Sequence, residues 1–429
     1  MLNLVYLLVL ILVSPLLFYR SMRHKKYRDG WGQKFLGLAP KLPVKSDGKK
    51  RIWFHAVSVG EVNLLKPIIA EMDASRPDWE FVVSATSKTG YELAQKLFGA
   101  RTAVFYCPLD FSWATRRALR RIQPDMLVLV ELELWPNLIK FANKSGAKVA
   151  IVNGRVSDEA FQTYFRIRRF LASTFRKIDL IAAQDDVAAN YFRRLSPVPE
   201  RVFVSGSIKF DGVKTDRNNP ATQALAKLAG IRETDVVYLC GSTQDPEEAG
   251  ALETYRRLYR DYPALKLIVV PRHKERFEEV AKLFDASEFE WTRRSTLTEP
   301  IDPAAEKSRV ILVDALGELG AWWGLAKIAF VGGSWGNRGG QNMLEPAGYG
   351  AAVSFGPNTR NFRAIVEALL REDAAKVVAD VDEACAFVKR CLDEPAYAQK
   401  IGAAARDLTI RNSGATKRTL AELERIFDS

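Results

Sequence analysis

Lys327-Ile-Ala-Phe-Val-Gly-Gly-Ser-Trp-Gly-Asn-Arg-Gly-Gly-Gln-Asn-Met-Leu-Glu-Pro346 is the stretch whose reading decides the fold. Lys327 to Val331 is apolar and reads as a strand. A glycine-rich loop follows, and Asn342 to Glu345 reads as a helix start. A loop nearly free of side chains lets a ligand approach the backbone, and the next helix offers unpaired N–H groups. A phosphate suits that position, with Glu345 placed for a ribose hydroxyl. No two glycines stand two apart, so the loop is not Gly-x-Gly-x-x-Gly, and no Gly-Lys-Ser/Thr follows. A nucleotide-sugar site of another kind is expected. The same Asn342/Glu345 spacing also fits a capping box behind a flexible loop.

Strand and helix signals alternate outward from this point. Upstream are Arg51–His55, Phe81–Ser84, Met126–Val130, Lys148–Val152, Leu180–Ala183 and Val202–Val204. After a polar, turn-rich stretch come Asp235–Leu239, Leu265–Val270, Val310–Val313, Ile328–Val331 and Ala352–Phe355. Short apolar runs separated by amphipathic stretches predict parallel sheets covered on both faces. The expected order is a basic segment at 20–48, a Rossmann-like domain at 49–211, a linker at 212–222 and a second such domain at 223–429. Two doubly wound domains facing a cleft would turn their strand C-terminal ends toward it.

The 429 residues carry a net charge of +12, which favours an anionic partner such as a phosphorylated substrate or an acidic membrane surface. Basic and aromatic residues are not interleaved in any one segment, so nucleic acid is not expected. The four scattered cysteines read as reduced thiols. With three histidines and no His/Cys cluster, a zinc site is not expected. Asp380-Val-Asp382 lies in a charged helical stretch and is a weak candidate for a divalent cation. A serine hydrolase is not expected either.

Met1 to Tyr19 contains no charged residue and is followed by Arg20, Arg23, Lys25, Lys26 and Arg28. Nineteen residues at helical rise reach about 28 Å, enough to cross a bilayer core. An N-terminal membrane-anchor helix at 1–19 with the body on the cytoplasmic side is expected; a helix that only docks at the interface or on the protein is the alternative.

Five segments carry candidate chemistry. In His55-Ala-Val-Ser-Val-Gly-Glu61 a strand ends and a carboxylate opens the next helix, where it can serve as a general base or simply complement the dipole. Glu131-Leu-Glu133 follows a strand, and alternation puts the two carboxylates on opposite sides, so only one is expected to face the cleft. Lys209 and Asp211 stand at the domain junction, with Lys209 either meeting a ligand or pairing with Asp211. Pro271-Arg272 follows a strand, and Arg272 can clamp a phosphate. Asp314-Ala-Leu316-Gly317-Glu318 offers a loop in which Gly317 lets the backbone reach a base or ribose.

In order along nearly the whole chain these motifs resemble the bacterial 3-deoxy-D-manno-octulosonic acid (Kdo) transferases of lipid A biosynthesis. The resemblance includes residues 55–61, Glu131 to Asn137, Asn153-Gly-Arg155, Lys209-Phe-Asp211, Gly241-Ser-Thr243 with Glu247-Glu248, Pro271-Arg-His273, Gly317-Glu-Leu319, Gly339 to Pro346 and Gly356-Pro357. It implies a GT-B fold and an inverting, metal-free transfer, with no cofactor, from CMP-Kdo to the lipid A precursor (lipid IVA) at the cytoplasmic leaflet of the inner membrane. It makes Glu61 the base, and gives Glu131 and Lys209 to transition-state stabilisation. Pro271, Arg272, Leu316, Gly317, Glu318, Asn342, Met343, Leu344 and Glu345 become CMP contacts. Leu132, Gln244, Gln341 and Ala315 depart from the usual pattern, which leaves the donor-loop detail and the number of Kdo units open. The competing readings are another membrane-associated GT-B enzyme with a different nucleotide sugar, and a membrane-tethered scaffold without catalysis.

Overall fold

The computed structural model describes residues 3–4, 6–8, 11–12, 29–43, 45 and 48–428. The chain forms two compact units: Met1–Asp211 with Asn412–Ser429, and Gly212–Arg411.

The first unit holds a seven-stranded parallel sheet. Its strands are β1 (Lys50–Ala56), β2 (Trp79–Ala85), β3 (Val104–Tyr106), β4 (Met126–Val130), β5 (Lys148–Gly154), β6 (Leu180–Ala183) and β7 (Val202–Val204). Their spatial order is β3-β2-β1-β4-β5-β6-β7. The sheet is buried on both faces, and alternation sorts its side chains. Met126, Val128 and Val130 of β4 enter one core cluster, whereas Leu127 and Leu129 enter the other. Each such buried aliphatic side chain contributes about 1.5–3 kcal/mol.

The second unit repeats the plan with β8 (Val236–Thr243), β9 (Leu265–Pro271), β10 (Thr292–Arg293), β11 (Val310–Leu312), β12 (Ile328–Val331), β13 (Ala352–Phe355) and β14 (Ala375–Val377). The order is β10-β11-β9-β8-β12-β13-β14, again all parallel. In each sheet the chain starts at a central strand, runs to one edge and then reverses, crossing to the other half between β1 and β4 and between β8 and β12; in the second sheet β11 also returns inside β10. Loops at the strand C-terminal ends at these two crossings form the natural ligand crevice of a doubly wound sheet.

The boundaries depart from the sequence expectation at two places. The final helix, Ala415–Asp428, belongs to the first unit and not to a C-terminal domain running to 429. Leu420, Leu423 and Ile426 join the first unit's core, and Asp211 caps the helix by accepting from the backbone N–H of Gly414 (2.6 Å) and Thr416. The stretch 212–222, expected as a linker, is tied into the second unit. Arg217 donates to the carbonyls of Tyr349, Gly324 and Ala326 at 2.7–2.9 Å, and Pro220 already opens a helix to Leu228.

At the N-terminus, residues 1–2, 5, 9–10 and 13–28 of the expected anchor and basic flank lie outside the described residues. Among the described residues, no helix is long and apolar enough to cross a membrane. Residues 3–4, 6–8 and 11–12 are helical. Asn3 donates to Ser112 Oγ at 2.7 Å, and the Tyr6 hydroxyl donates to the Asp110 carboxylate at 2.9 Å.

Candidate functional site

In the first unit, the reversal point between β1 and β4 gathers acidic side chains. Ser58 is the N-cap of the helix Val59–Ser75, and Glu61 stands three residues on. Glu61 accepts from Ser58 Oγ (2.8 Å) and from the Val57 N–H (2.7 Å), a variant of the capping box. The residue is only 8% exposed. Its two hydrogen bonds leave lone pairs free on the carboxylate, since each oxygen can accept twice. Burial above all, and then the nearby Glu131 charge, push its carboxyl above the ordinary value, against the opposing pull of those hydrogen bonds.

Glu131 follows β4 directly and has φ +59°, a left-handed conformation that costs a non-glycine residue energy. That turn ends the strand's alternation. The charge of Glu131 reaches Glu61, and that of Glu61 reaches Glu133. Glu133 accepts from the Trp135 indole at 2.9 Å, and its carboxyl is pushed up to about 7, by burial first and then by Glu61. Lys209 Nζ lies 3.6 Å from Glu131 Oε1. Asp211 is committed to the last helix, so the Lys209–Asp211 alternative drops out. Asn153, itself at φ +51° and buried, accepts from the Ile208 N–H at 3.0 Å and so fixes the turn that carries Lys209.

His55 is fully buried beside this group, with Nδ1 3.0 Å from Ser84 Oγ and its ring edge toward Trp135. Burial lowers its pKa to about 4, which keeps it neutral and packed.

In the second unit, the reversal point between β8 and β12 is organised by Glu247, which the sequence reading noted without giving it a role. Its carboxylate is buried and accepts four backbone N–H groups: Gln244 (2.9 Å), Gly333 (2.7 Å), Ser334 (2.8 Å) and Trp335 (3.0 Å). It thus fastens the loop after β8 to the glycine loop after β12. A Cβ on Gly332 would stand 2.6 Å from Glu247 Oε2, so the close approach requires glycine there. No local sequence pattern marks this role of Glu247, because the three glycine-loop partners lie 86 to 88 residues away.

Gly332, Ser334 and Gly336 have the Gly-x-Ser-x-Gly spacing of a nucleophile elbow, so the sequence alone does not exclude a serine hydrolase. The structure supplies the grounds. Ser334 is fully buried; its Oγ donates to the Val331 carbonyl (2.7 Å) and accepts from the Gly356 N–H (2.8 Å).

The helix behind the loop runs only from Leu344 to Gly348, so its dipole is small. Its N-cap is Met343, with no capping side chain. Asn342 instead donates to Glu345 Oε1 (3.1 Å) and accepts from the Leu344 N–H (3.2 Å). Met343 and Leu344, expected as CMP contacts, are fully buried, backbone included, and present no surface to a ligand here. Burial raises the Glu345 carboxyl, while Arg272 pulls it down from across the strand ends. Pro271 is buried at the end of β9, and Arg272 is exposed with its N–H bonded to the Thr243 carbonyl at 3.0 Å. Gly317 has φ +88° and open space around it, and Leu316 beside it is exposed. Glu318 is gripped by Arg294 through two bonds of 2.8 and 2.9 Å.

Among the described residues, no group of three His, Cys, Asp or Glu side chains is placed to hold a metal ion. Of the Asp380/Asp382 pair, Asp380 caps a helix and Asp382 meets Arg257 at 2.6 Å.

Residues 29–212 match the family model described as 3-Deoxy-D-manno-octulosonic-acid transferase (kdotransferase). A 3-deoxy-D-manno-octulosonic acid transferase of Haemophilus influenzae is 31% identical, over 97% of this chain and 96% of that protein. The Bordetella pertussis protein of the same description is 30% identical, over 98% of each. Among solved structures, a UDP-GlcNAc 2-epimerase from Neisseria meningitidis bound to UDP-GlcNAc has a TM-score of 0.55 at 13% identity, covering 88% of this chain and all of that one. A glycosyltransferase from Rickettsia africae has a TM-score of 0.54 at 11% identity, covering 88% and 97%. At those identities the likeness is one of fold: two parallel-sheet α/β units of the kind GT-B glycosyltransferases have.

Proposed function

Because this chain belongs to the Kdo transferase family and is therefore a glycosyltransferase, we propose that it moves Kdo from CMP-Kdo to the lipid A precursor. The observation that carries this reading is the reversal point of the first sheet, where Glu61, Glu131, Glu133 and Lys209 come together.

Glu61 is the base in this reading. Its raised pKa makes its carboxylate a better proton acceptor than an exposed glutamate. It takes the proton of the acceptor's primary hydroxyl as that oxygen bonds to the anomeric carbon of Kdo. The bond from that carbon to the CMP phosphate breaks with its electron pair, CMP leaves, and attack opposite CMP inverts the centre. Positive charge develops on the sugar, and the carboxylates beside Glu61 stabilise it. Lys209 orients Glu131 for that purpose.

In the second unit, Arg272 meets the phosphate whose charge grows as CMP departs, beside the glycine loop whose N–H groups Glu247 occupies. Glu345 and Asn342 take the ribose side. The Gly317 backbone, with Leu316, Pro271 and Glu318, surrounds the nucleoside. The acceptor's acyl chains remain in the cytoplasmic leaflet of the inner membrane, and the uncharged N-terminal run with its basic flank supplies the attachment.

The test is incubation of the purified protein with CMP-Kdo and lipid A precursor, read by mass. Products heavier by whole Kdo units are expected, together with inhibition by CMP in preference to UDP. Transfer from a UDP-sugar with no use of CMP-Kdo would overturn the reading.

A further inference from the structure

The N-terminal segment bonds to the body in a way that a spanning helix does not allow. Asn3 Nδ2 donates to Ser112 Oγ (2.7 Å), and Asn3 Oδ1 accepts from the Ser112 N–H (3.1 Å) and from Asn137 Nδ2 (3.3 Å). One helical turn on, the Tyr6 hydroxyl donates to Asp110 (2.9 Å), and its ring meets Phe111 edge-on at 6.1 Å. If Met1–Tyr19 crossed the bilayer with its basic flank in the cytoplasm, Asn3 would lie near the far end, about 25 Å away. A residue there cannot bond the same body that holds Ser112 and Asp110.

The opposite stripe of the segment is apolar and faces outward. Leu4, Leu8, Ile11 and Leu12 follow helical spacing and are all more than half exposed, Leu12 at 80%. The exposed apolar surface continues onto the body. Trp113 stacks on Phe111 (4.6 Å) and donates to the Phe35 carbonyl (2.9 Å), and Trp31 stacks on Phe35 (4.6 Å). Trp31 and Trp113 are exposed, and Arg117 and Arg120 project from the same helix as Trp113. Exposed tryptophans beside arginines and an apolar stripe match the chemistry of an anionic lipid interface.

We infer that the helical residues 3–4, 6–8 and 11–12 lie in the plane of the cytoplasmic membrane surface, clipped to the body through Asn3 and Tyr6, and do not cross the bilayer. The inference rests on the membrane-bound transferase reading and adds the manner of attachment. It has a functional consequence. Asp110 also accepts from the N–H groups of Asn137 (2.9 Å) and Leu138 (2.8 Å), which open the helix Pro136–Lys144 directly after the Glu131–Trp135 loop. Tyr6 is therefore a positioning residue that couples membrane depth to the acidic site.

The experiment places a protease-cleavable epitope ahead of Met1 of the full chain and exposes each membrane face in turn, alongside flotation on vesicles containing phosphatidylglycerol. Cleavage from the cytoplasmic face alone, with flotation, is expected. Cleavage from the periplasmic face with flotation intact would overturn the in-plane placement and leave the membrane-bound transferase standing. Loss of flotation would overturn both. Tyr6→Phe is expected to raise KM for vesicle-borne acceptor about tenfold, the scale of one lost hydrogen bond to a charged group, with KM for CMP-Kdo unchanged. An unchanged acceptor KM would remove the coupling role.

Discussion

Lys209 Nζ stands 3.6 Å from Glu131 Oε1, and Glu131 reaches that contact from a left-handed backbone at φ +59°. The pair is partly exposed on both sides, so as a stabilising ion pair it contributes at most about 1 kcal/mol. Its placement beside Glu61 gives it a larger part in the chemistry than in the fold. Lys209→Ala is expected to slow transfer about 10²-fold while leaving the melting temperature nearly unchanged. Glu131→Gly relieves the backbone strain and is expected to change stability by no more than about 1 kcal/mol, with transfer lost to a similar extent. Paired turnover assays and thermal melts check both. A Lys209→Ala protein that unfolds early would make the pair structural.

Glu61→Gln separates capping from catalysis. Glutamine at the third helical position can accept from the Val57 N–H through its oxygen while its NH₂ donates to the Ser58 hydroxyl, which can reverse its role, so the helix start survives. An amide cannot take the hydroxyl proton. Transfer is expected to fall by about 10²–10⁴, with CMP-Kdo affinity and melting temperature retained. Parent-level turnover in this variant would remove Glu61 as the base.

Much of this arrangement is legible in the sequence, and what is not has physical causes. Strands of four or more apolar residues announce themselves, as Met126–Val130 and Ile328–Val331 do. β3, β10 and β14 have two or three residues, too few to show a period, and unlike the equally short β7 and β11 they are not all aliphatic or Phe: Tyr106, Thr292, Arg293 and Lys376 interrupt them. Period-two alternation fails at Glu131 because a left-handed residue ends the strand there. The helix Ala415–Asp428 is plainly amphipathic, but amphipathicity does not say which sheet a helix covers; the cap from Asp211 does. Glu247 is invisible for the same reason, since every donor in the glycine loop that it binds is remote in sequence.

The raised carboxyls set a sign for pH dependence. Glu133 rises from the ordinary 4.5 to about 7 in the folded protein. Between those values the folded protein binds this proton more tightly than the unfolded chain does. The group's favourable contribution is therefore complete below pH 4.5 and disappears as pH rises through about 7. Glu61 shifts in the same direction. Melting temperature is expected to fall from pH 5 to pH 8, and Glu133→Gln, which can still accept from Trp135, should flatten that fall. The same deprotonation arms the base, so transfer rises over this range with an apparent pKa that belongs to the cluster. Parallel melt curves of parent and Glu133→Gln across the range would show that Glu133 is not shifted.

Glu247→Gln tests what fastens the nucleotide loop. One carboxylate oxygen serves Gln244 and Gly333, and the other serves Ser334 and Trp335. Whichever way the amide turns, its NH₂ faces two backbone donors and leaves them unpaired, at about 1–3 kcal/mol for each buried group. The loop should loosen, CMP affinity should fall at least about tenfold, and the second unit should melt earlier. Gly332→Ala should do the same by another route, because its Cβ would press against the Glu247 carboxylate and the Thr243 backbone at 2.6 Å. Gly336→Ala, whose Cβ would meet nothing nearer than the Asp245 carbonyl at 4.0 Å, should leave the melt in place. Calorimetric titration with CMP and thermal melts of the three variants distinguish the cases. If Glu247→Gln bound CMP as the parent does, the glycine loop would hold its shape without that carboxylate, and the donor half of the mechanism would need another organiser.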